Sequence, residues 1–349
     1  MDSLQLLIEQ GLAEGLYLGA SYRVCQLEAG TLASGVVGRA QEGPDVAVTA
    51  GTVWDLASIT KPVATATSIL MLAQEGRFHL DEPVSAFLPS PAPGLSGVTL
   101  RHCLTHTSGL RPWTQLHSRE LSRSEIVAEV CAAEPQRPPG MGYAYSDLGY
   151  ILLGEVVQSV SGQNVAAFAR ERIFEPLGMG RTCYLPPREW RSHTAATRCP
   201  DRARVLVGEV HDGNSAAMEG ISGHAGLFGT VADLVTYGRM LLNEGELNGA
   251  RILCPLAARQ MMCNQNPPGI SGHTLGWFTR PNGYLPAGDF LPEGTFGHTG
   301  FTGTSLLLSP TLGLVAILLT NRVYQQREAG DFIRFRRRFH NAIAGILAG

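Results

Sequence analysis

The stretch WDLASITKPVATA, Trp54 to Ala66, carries the chain's single lysine, Lys61. Every other basic side chain among the 27 lysines and arginines is an arginine. Position 61 therefore asks for a property that arginine lacks. Arginine stays protonated under ordinary conditions, whereas a desolvated lysine can give up its proton. Ser58 precedes Lys61 by three residues, which puts both side chains on one face of a helical turn. Pro62 suits the first turn of a helix, where its missing N–H has no partner to lose. VWDLA (53–57) reads as a short strand running into a helix that begins near Ser58 and stops near Gly76. Such a start sets the Ser58 hydroxyl at the positive end of the helix dipole, where a developing oxyanion is favoured. A serine beside an amine that can become neutral is a nucleophile beside its base. Ser-x-x-Lys alone is a short pattern, and a purely structural lysine is the alternative.

Composition narrows the field. A chain of 349 residues with 44% hydrophobic and 16% charged residues can bury a sizeable core, as one large domain or two intertwined ones. A net charge of −3 gives no overall attraction to nucleic acid or anionic membrane. No apolar run approaches the ~18 residues of a membrane span. The start, MDSLQLLIEQGLAEG, lacks the marks of a secretory signal. Its Leu4, Leu7, Ile8 and Leu12 follow helical spacing instead, with Asp2 or Ser3 as the N-cap. Seven cysteines, an odd count without C-x-x-C, predict reduced thiols and a cytoplasmic protein.

Strand signals lie at both ends of the chain. YLGASYRVC (17–25) and TLASGVVGRA (31–40) flank an EAG turn, and TSLLLSP (304–310) leads into GLVAILLTN (313–321). Between them the pattern is helices and Pro/Gly-rich loops, with one clear helix at 231–242 capped by Thr230 and carrying Asp233 in its first turn. The last helix carries Phe332, Phe335, Phe339, Ile343 and Ile346 as one apolar stripe. The expected fold class is α/β (α+β). A mixed, mainly antiparallel sheet is built from both chain ends, with the terminal helices packed on it. Residues 1–80 and 276–349 form the sheet domain, 81–275 a mainly helical one, and the active site lies between them. The basic run RFRRRFH (334–340) reads as a solvated face opposite the phenylalanines.

Two further segments join Ser58-x-x-Lys61. They are PPGMGYAYSDLGYILLGEVV (138–157) and FGHTGFTGTSLLLSP (296–310). Together with ASITK (57–61) and LTHTSGL (104–110) they resemble the serine hydrolases related to class C β-lactamases. That group takes in penicillin-binding proteins, family VIII carboxylesterases and D-amino-acid peptidases. The resemblance runs in order from about residue 15 to 325, and its implied fold is the β-lactamase/transpeptidase type. It implies Ser58 as nucleophile, Lys61 as its partner, and Tyr145 of Tyr-Ser-Asp as a proton carrier acting with Lys61. Which of Lys61 and Tyr145 is the principal base stays open. It further implies an oxyanion hole from the backbone N–H groups of Ser58 and Phe301, and substrate contacts at His298, Thr299, Gly300 and Asp147. Tyr143 competes for the tyrosine role but lacks a polar residue at +2.

Two departures bear on the substrate. His298 stands where β-lactamases usually have a lysine that helps hold a carboxylate, so the grip on an anion is expected to be weaker. Asp147 stands where the family usually has asparagine. A carboxylate there repels anions, or holds Lys61 in its charged form, or accepts a substrate amine. A carboxylesterase with weak β-lactamase activity is therefore expected first. A β-lactamase or D-amino-acid peptidase is the second reading, and a non-catalytic binding or scaffold relative the third. The expected partner is a small-molecule ester, β-lactam or D-amino-acid derivative, with no nucleic acid and no membrane; the oligomeric state is left open. No cofactor and no metal are expected. His102 and His106 at i, i+4 make a conceivable metal pair without an indicated third ligand. His224 reads as a plain loop histidine with a cleft position as alternative, and Trp113 and Trp277 as core residues with an acyl pocket as alternative. The absence of G-x-S-x-G argues against an α/β-hydrolase elbow.

Overall fold

The computed structural model describes residues 3–326 and 328–347. Five helices bear on the site: α1 (Ser3–Ala13), α2 (Thr67–Gln74), α3 (Asp147–Ser161), α4 (Val231–Leu242) and α5 (Ala329–Leu347). Asp2, one of the two N-cap candidates, lies outside the described residues, and Ser3 is the first residue of α1. The main sheet has seven strands: β1 (Gly19–Gln26), β2 (Gly30–Gln41), β3 (Val46–Ala47), β4 (Phe278–Thr279), β5 (Phe296–Gly300), β6 (Thr304–Ser309) and β7 (Leu314–Thr320). Their order is β4-β5-β6-β7-β1-β2-β3. The two chain ends meet where β1 pairs with β7, Tyr22 opposite Leu318. Every pairing in this sheet is antiparallel, more uniform than the mixed sheet expected. Short turns join β1 to β2, β5 to β6 and β6 to β7, and hairpins of that kind permit no other direction.

Alternation along β7 divides the core. Leu314, Ala316 and Leu318 pack with Leu4 and Ile8 of α1 and with the Phe332, Phe335, Phe339 and Ile343 stripe of α5. Val315, Ile317 and Leu319 point the other way, into a larger cluster that includes Leu234, Tyr237 and Leu241 of α4. The strand is buried along its whole length, so each leucine contributes about 1.5–3 kcal/mol of burial. Helix α4 begins as expected, with the Thr230 hydroxyl accepting from Asp233 N–H at 3.2 Å.

One expectation, on the basic run of α5, needs correction. The mainly helical stretch 81–275 also contains strands too short to show a period. Leu227–Gly229 pairs with Trp54–Asp55 on one side and Cys183–Tyr184 on the other, so a middle segment is laced to the start of the Ser58 turn. The basic run of α5 is not all solvated. Arg334, Arg337 and Arg338 are exposed, but Arg336 and His340 are buried. They follow Phe332 at i+4 and i+8 and so share its stripe.

Candidate active site

Ser58 lies in the tight turn Ala57–Ile59, directly after Trp54–Asp55. A plain α-helical start was expected. Instead a 3₁₀ turn leads into a π-helical turn, Lys61–Ala66, before α2 begins. π-helical turns of this kind concentrate at functional sites. Ala57 adopts φ 47°, a left-handed conformation that costs a residue with a Cβ about 1–2 kcal/mol. Asp55 holds it there. Its two carboxylate oxygens accept from Ala57 N–H at 2.8 Å and His211 N–H at 2.7 Å. Burial nevertheless pushes the Asp55 carboxyl up to about 6. The segment after β5 is stitched to the same turn, with Thr302 Oγ1 donating to Asp55 O (2.8 Å) and Thr304 Oγ1 to Leu56 O (3.1 Å). Gly300 permits this approach. A Cβ there would overlap Thr304 Oγ1 and come within 2.6 Å of Leu56 O.

Lys61 is fully buried, and its Nζ has three acceptors around it. They are Ser58 Oγ at 3.0 Å, His224 O at 2.9 Å and Asp147 Oδ1 at 2.7 Å. Ser58 Oγ and His224 O accept hydrogen bonds from Nζ, and Asp147 is its ion-pair partner. Tyr145 covers the group, with Nζ 5.0 Å from its ring centre, and its hydroxyl is hydrogen-bonded to Ser58. Burial, with the charge of Asp147 added, holds the Tyr145 phenol well above its ordinary range. Tyr143 sits instead against His106 and His273.

The sequence places these groups by local means. Ser146 caps α3 and sets Tyr145 and Asp147 on either side of the helix start. Ser146 N–H donates to His106 Nδ1 at 2.9 Å, and the His106 ring lies 4.4 Å from that of Tyr145. Gly223 packs against Gly154 of α3 where a Cβ would come within 2.9 Å of Gly154 N, and this close contact delivers His224 O to Lys61.

His298 departs from what its position implied. Its ring is fully buried and stacked on Phe278 at 4.3 Å, with Nδ1 bonded to Thr299 O at 2.9 Å. Burial, reinforced by Lys61 and His273, holds it well below the usual imidazole range. It is neutral, adds no positive field to the site, and leaves ligand contact to its neighbours Thr299 and Gly300. Asp147 is likewise committed to Lys61, so its charge is compensated rather than free to repel an anion. His102 Nδ1 accepts from Thr99 N–H and His106 Nδ1 from Ser146 N–H, so the two histidines serve separate turns.

A cavity of about 730 Å³ opens on Ser58. Tyr145, Asp147, Thr299, Gly300 and Phe301 line it. So does Trp113, nearly half exposed, which overturns its assignment to the core; Trp277 is fully buried against Tyr237 and Phe296. Asp212 escaped sequence reasoning and lies on the same wall. Its Oδ1 meets His224 Nε2 at 2.8 Å, while His224 Nδ1 meets Ser222 Oγ at 2.7 Å. Burial works to raise the Asp212 carboxyl, but His224, Ser215 N–H and Lys61 together hold it well below its ordinary range. The only trace in the sequence is the cap pattern of Asp212 before Gly-Asn-Ser, which signals a helix start and not a cleft.

The family model described as Beta-lactamase matches residues 4–337. The chain belongs to the beta-lactamase family. Over 306 residues this beta-lactamase-family chain is 29% identical to an N-acetylmuramyl-L-alanine amidase of Bacillus subtilis, covering 78% of this chain and 68% of that protein. Its fold is similar to that of EstCE1, a hydrolase with promiscuous acyltransferase activity. The TM-score is 0.77 at 21% identity, with 97% of each chain covered. It is also similar to SurE with D-Leu, at TM-score 0.72 and 25% identity, over 98% of this chain and 75% of that one.

Proposed function

We propose that this protein is a serine hydrolase that cleaves small carboxylic esters through an acyl-Ser58 intermediate. The observation that carries the reading is the contact of Ser58 Oγ with Lys61 Nζ at 3.0 Å, in a turn opening on the 730 Å³ cavity. A raised phenol is protonated at neutral pH, which suits Tyr145 to the role of acid and Lys61 to that of base. Asp147 Oδ1 lies 2.7 Å from Lys61 Nζ, and passing one proton to it leaves the neutral amine that the step needs. That amine takes the Ser58 proton as Oγ attacks the ester carbon. The oxyanion is met by the N–H groups of Ser58 and Phe301. On collapse the leaving alkoxide takes a proton from Tyr145, which regains one from Lys61. Water then repeats the sequence on the acyl-enzyme, releasing the acid and restoring Ser58. The buried, neutral His298 and the aromatic wall of Trp113, Phe301 and Tyr284 support ester over β-lactam substrates, because no cation stands at position 298.

The likeness to an amidase supports a second reading, amide hydrolysis by the same residues. Side-by-side turnover of 4-nitrophenyl butyrate, nitrocefin and a D-alanyl anilide, with wild type and Ser58→Ala, separates the readings. Ester turnover well above the other two, lost in Ser58→Ala together with a butyryl adduct detected by mass spectrometry, is the expected result. Turnover that survives Ser58→Ala would sink the assignment.

A further inference from the structure

The proton path through Ser58, Lys61, Tyr145 and Asp147 leaves one titratable pair beside it unused, Asp212 and the side chain of His224. Only the carbonyl of His224 touches Lys61, at 2.9 Å. That carbonyl belongs to a loop held by side chains. Four successive carbonyls each accept from one: Ser222 O from Tyr184 Oη at 3.2 Å, Gly223 O from Thr65 Oγ1 at 2.7 Å, His224 O from Lys61, and Ala225 O from Ser215 Oγ at 3.0 Å. The His224 imidazole adds a further tie, to Asp212 and Ser222.

Hydrogen bonding fixes the tautomer of that imidazole. Ser222 and His224 are each 1% exposed. The Ser222 hydroxyl has a hydrogen to give, and among the described residues its one partner is His224 Nδ1, at 2.7 Å. Nδ1 is therefore the acceptor, and Nε2 carries the hydrogen. Nε2–H donates to Asp212 Oδ1 at 2.8 Å, which also accepts Ser215 N–H at 2.7 Å. An imidazolium would leave the buried Ser222 hydrogen without an acceptor. His224 thus steadies Asp212 by a hydrogen bond without neutralising it. Asp212 keeps a negative charge on the cavity wall, and Lys61 and Tyr145 both feel it. Lys61 answers to two carboxylates, Asp147 in contact at 2.7 Å and Asp212 linked to it through His224.

We propose that Asp212 and the His224 side chain are a positioning pair for Lys61. The neutral imidazole, tethered between Ser222 and Asp212, aims the His224 carbonyl at Nζ, and the charge of Asp212 favours the protonated amine of the resting enzyme. The two carboxylates then differ in role. Asp147 exchanges a proton with Lys61, whereas Asp212 takes none, because its oxygen is committed to two N–H donors. The effect on turnover rests on the reading of Lys61 as base, but the tether and the charge do not. The other groups around Lys61 are the Tyr145 and Tyr150 rings, at 5.0 and 5.8 Å, and the buried imidazoles of His106 and His298. Asp55 and His211 also feel the charge of Asp212.

Lys61 is the chain's single lysine, so protein made with isotope-labelled lysine gives one Cε resonance whose titration needs no assignment. Asp212→Asn keeps an acceptor for Nε2–H and for Ser215 N–H and removes the charge. Its Lys61 titration midpoint is expected to fall by about half a pH unit or more, and the acid limb of the kcat/KM profile on 4-nitrophenyl butyrate to fall with it. Asp212→Ala removes the tether as well, and should lower kcat by about tenfold beyond Asp212→Asn with little further change in KM. A merely structural aspartate would cost stability in urea and leave the Lys61 midpoint where it was. An unmoved midpoint in Asp212→Asn, equal kcat in the two variants, or an imidazolium at His224 in nitrogen NMR spectra of the wild type at neutral pH overturns the proposal. If the wild-type midpoint lies above the pH range of the folded protein, Asp147→Asn with and without Asp212→Asn carries the same comparison. If Asp212→Ala does not fold, His224→Ala, which frees the same carbonyl, takes its place. If no ester is turned over, the serine-hydrolase reading fails separately, and the lysine resonance and the His224 tautomer alone judge the pair.

Discussion

At the level of single residues, Lys61 organises the site through what surrounds its nitrogen. Ser58 Oγ and His224 O accept hydrogen bonds from it and Asp147 is its ion-pair partner, so the atom that holds the Ser58 hydroxyl is itself held. Lys61→Arg keeps a charge but cannot supply a neutral amine, and its planar head does not fit three convergent acceptors. It is expected to lose ~10²–10⁴-fold in kcat/KM on 4-nitrophenyl butyrate with little change in fold by circular dichroism. Wild-type turnover in that variant would remove Lys61 from the proton path. Asp147→Asn makes a sharper distinction. Removing the carboxylate favours the neutral amine, so the acid limb of the kcat/KM profile should move to lower pH, while kcat falls because the proton acceptor is gone. An unmoved limb would exclude Asp147 from the network. Ser58, Lys61, Tyr145 and Asp147 were legible because each belongs to a short motif. Asp212 and His224 O were not, because their places at the site come from contacts with Lys61 across 150 residues or more. His298 was misread for the same reason, since its position is visible in the sequence but the Phe278 ring that seals it is not.

Among elements, the decisive contact is between the end of β5 and the Ser58 turn. Four strands of the main sheet, β1, β2, β6 and β7, were readable from apolar runs at both chain ends, and α4 and α5 from a cap and from periodicity, whereas the two-residue β3 and β4 were not. The two- and three-residue strands Trp54–Asp55 and Leu227–Gly229 were not, because a period needs more residues than they have. Those short pieces matter, because they carry Asp55 and the loop that follows His224. Asp55 stands under the turn with both oxygens used by N–H donors. In Asp55→Asn the amide NH₂ must face one of those N–H groups. The loss of one buried acceptor should lower unfolding free energy by about 1–3 kcal/mol in urea, with an unchanged m-value. Activity should fall further than stability suggests, because Ala57 then relaxes from its left-handed conformation and Ser58 leaves Lys61. An Asp55→Asn enzyme with full stability and full turnover would show that the turn holds itself.

Across the whole molecule, the same burial that shapes the site sets how the fold responds to acid. Four imidazoles are buried and held down by desolvation: His273 at about 4, His340 at about 3, and His106 and His298 well below the usual range, the last two assisted by neighbouring charges that include Lys61 and His273. In the unfolded chain each would take a proton near 6.5. A folded-state value below the unfolded one gives stability that is complete above pH 6.5 and is lost as pH falls toward the folded values. Asp55 acts in the opposite sense. Its folded value of about 6 exceeds the unfolded 3.8, so between those limits the native state holds one proton more. Four imidazoles outweigh one carboxyl, so near pH 5 the unfolded chain binds more protons than the native one and stability falls as pH falls. Marginal domains have only about 5–15 kcal/mol to lose, so unfolding should begin well above the range where carboxylates are protonated. Urea titrations at pH 7, 6, 5.5 and 5 should show the midpoint falling with increasing steepness, with net proton uptake on unfolding. His340→Phe fills the same apolar stripe of α5 without a titrating ring, so it should remove about one proton from that slope. A stability flat between pH 7 and 5 would mean that these imidazoles take up protons in the native state as they do in the unfolded chain, and the neutral His298 on which the ester preference rests would fall with it.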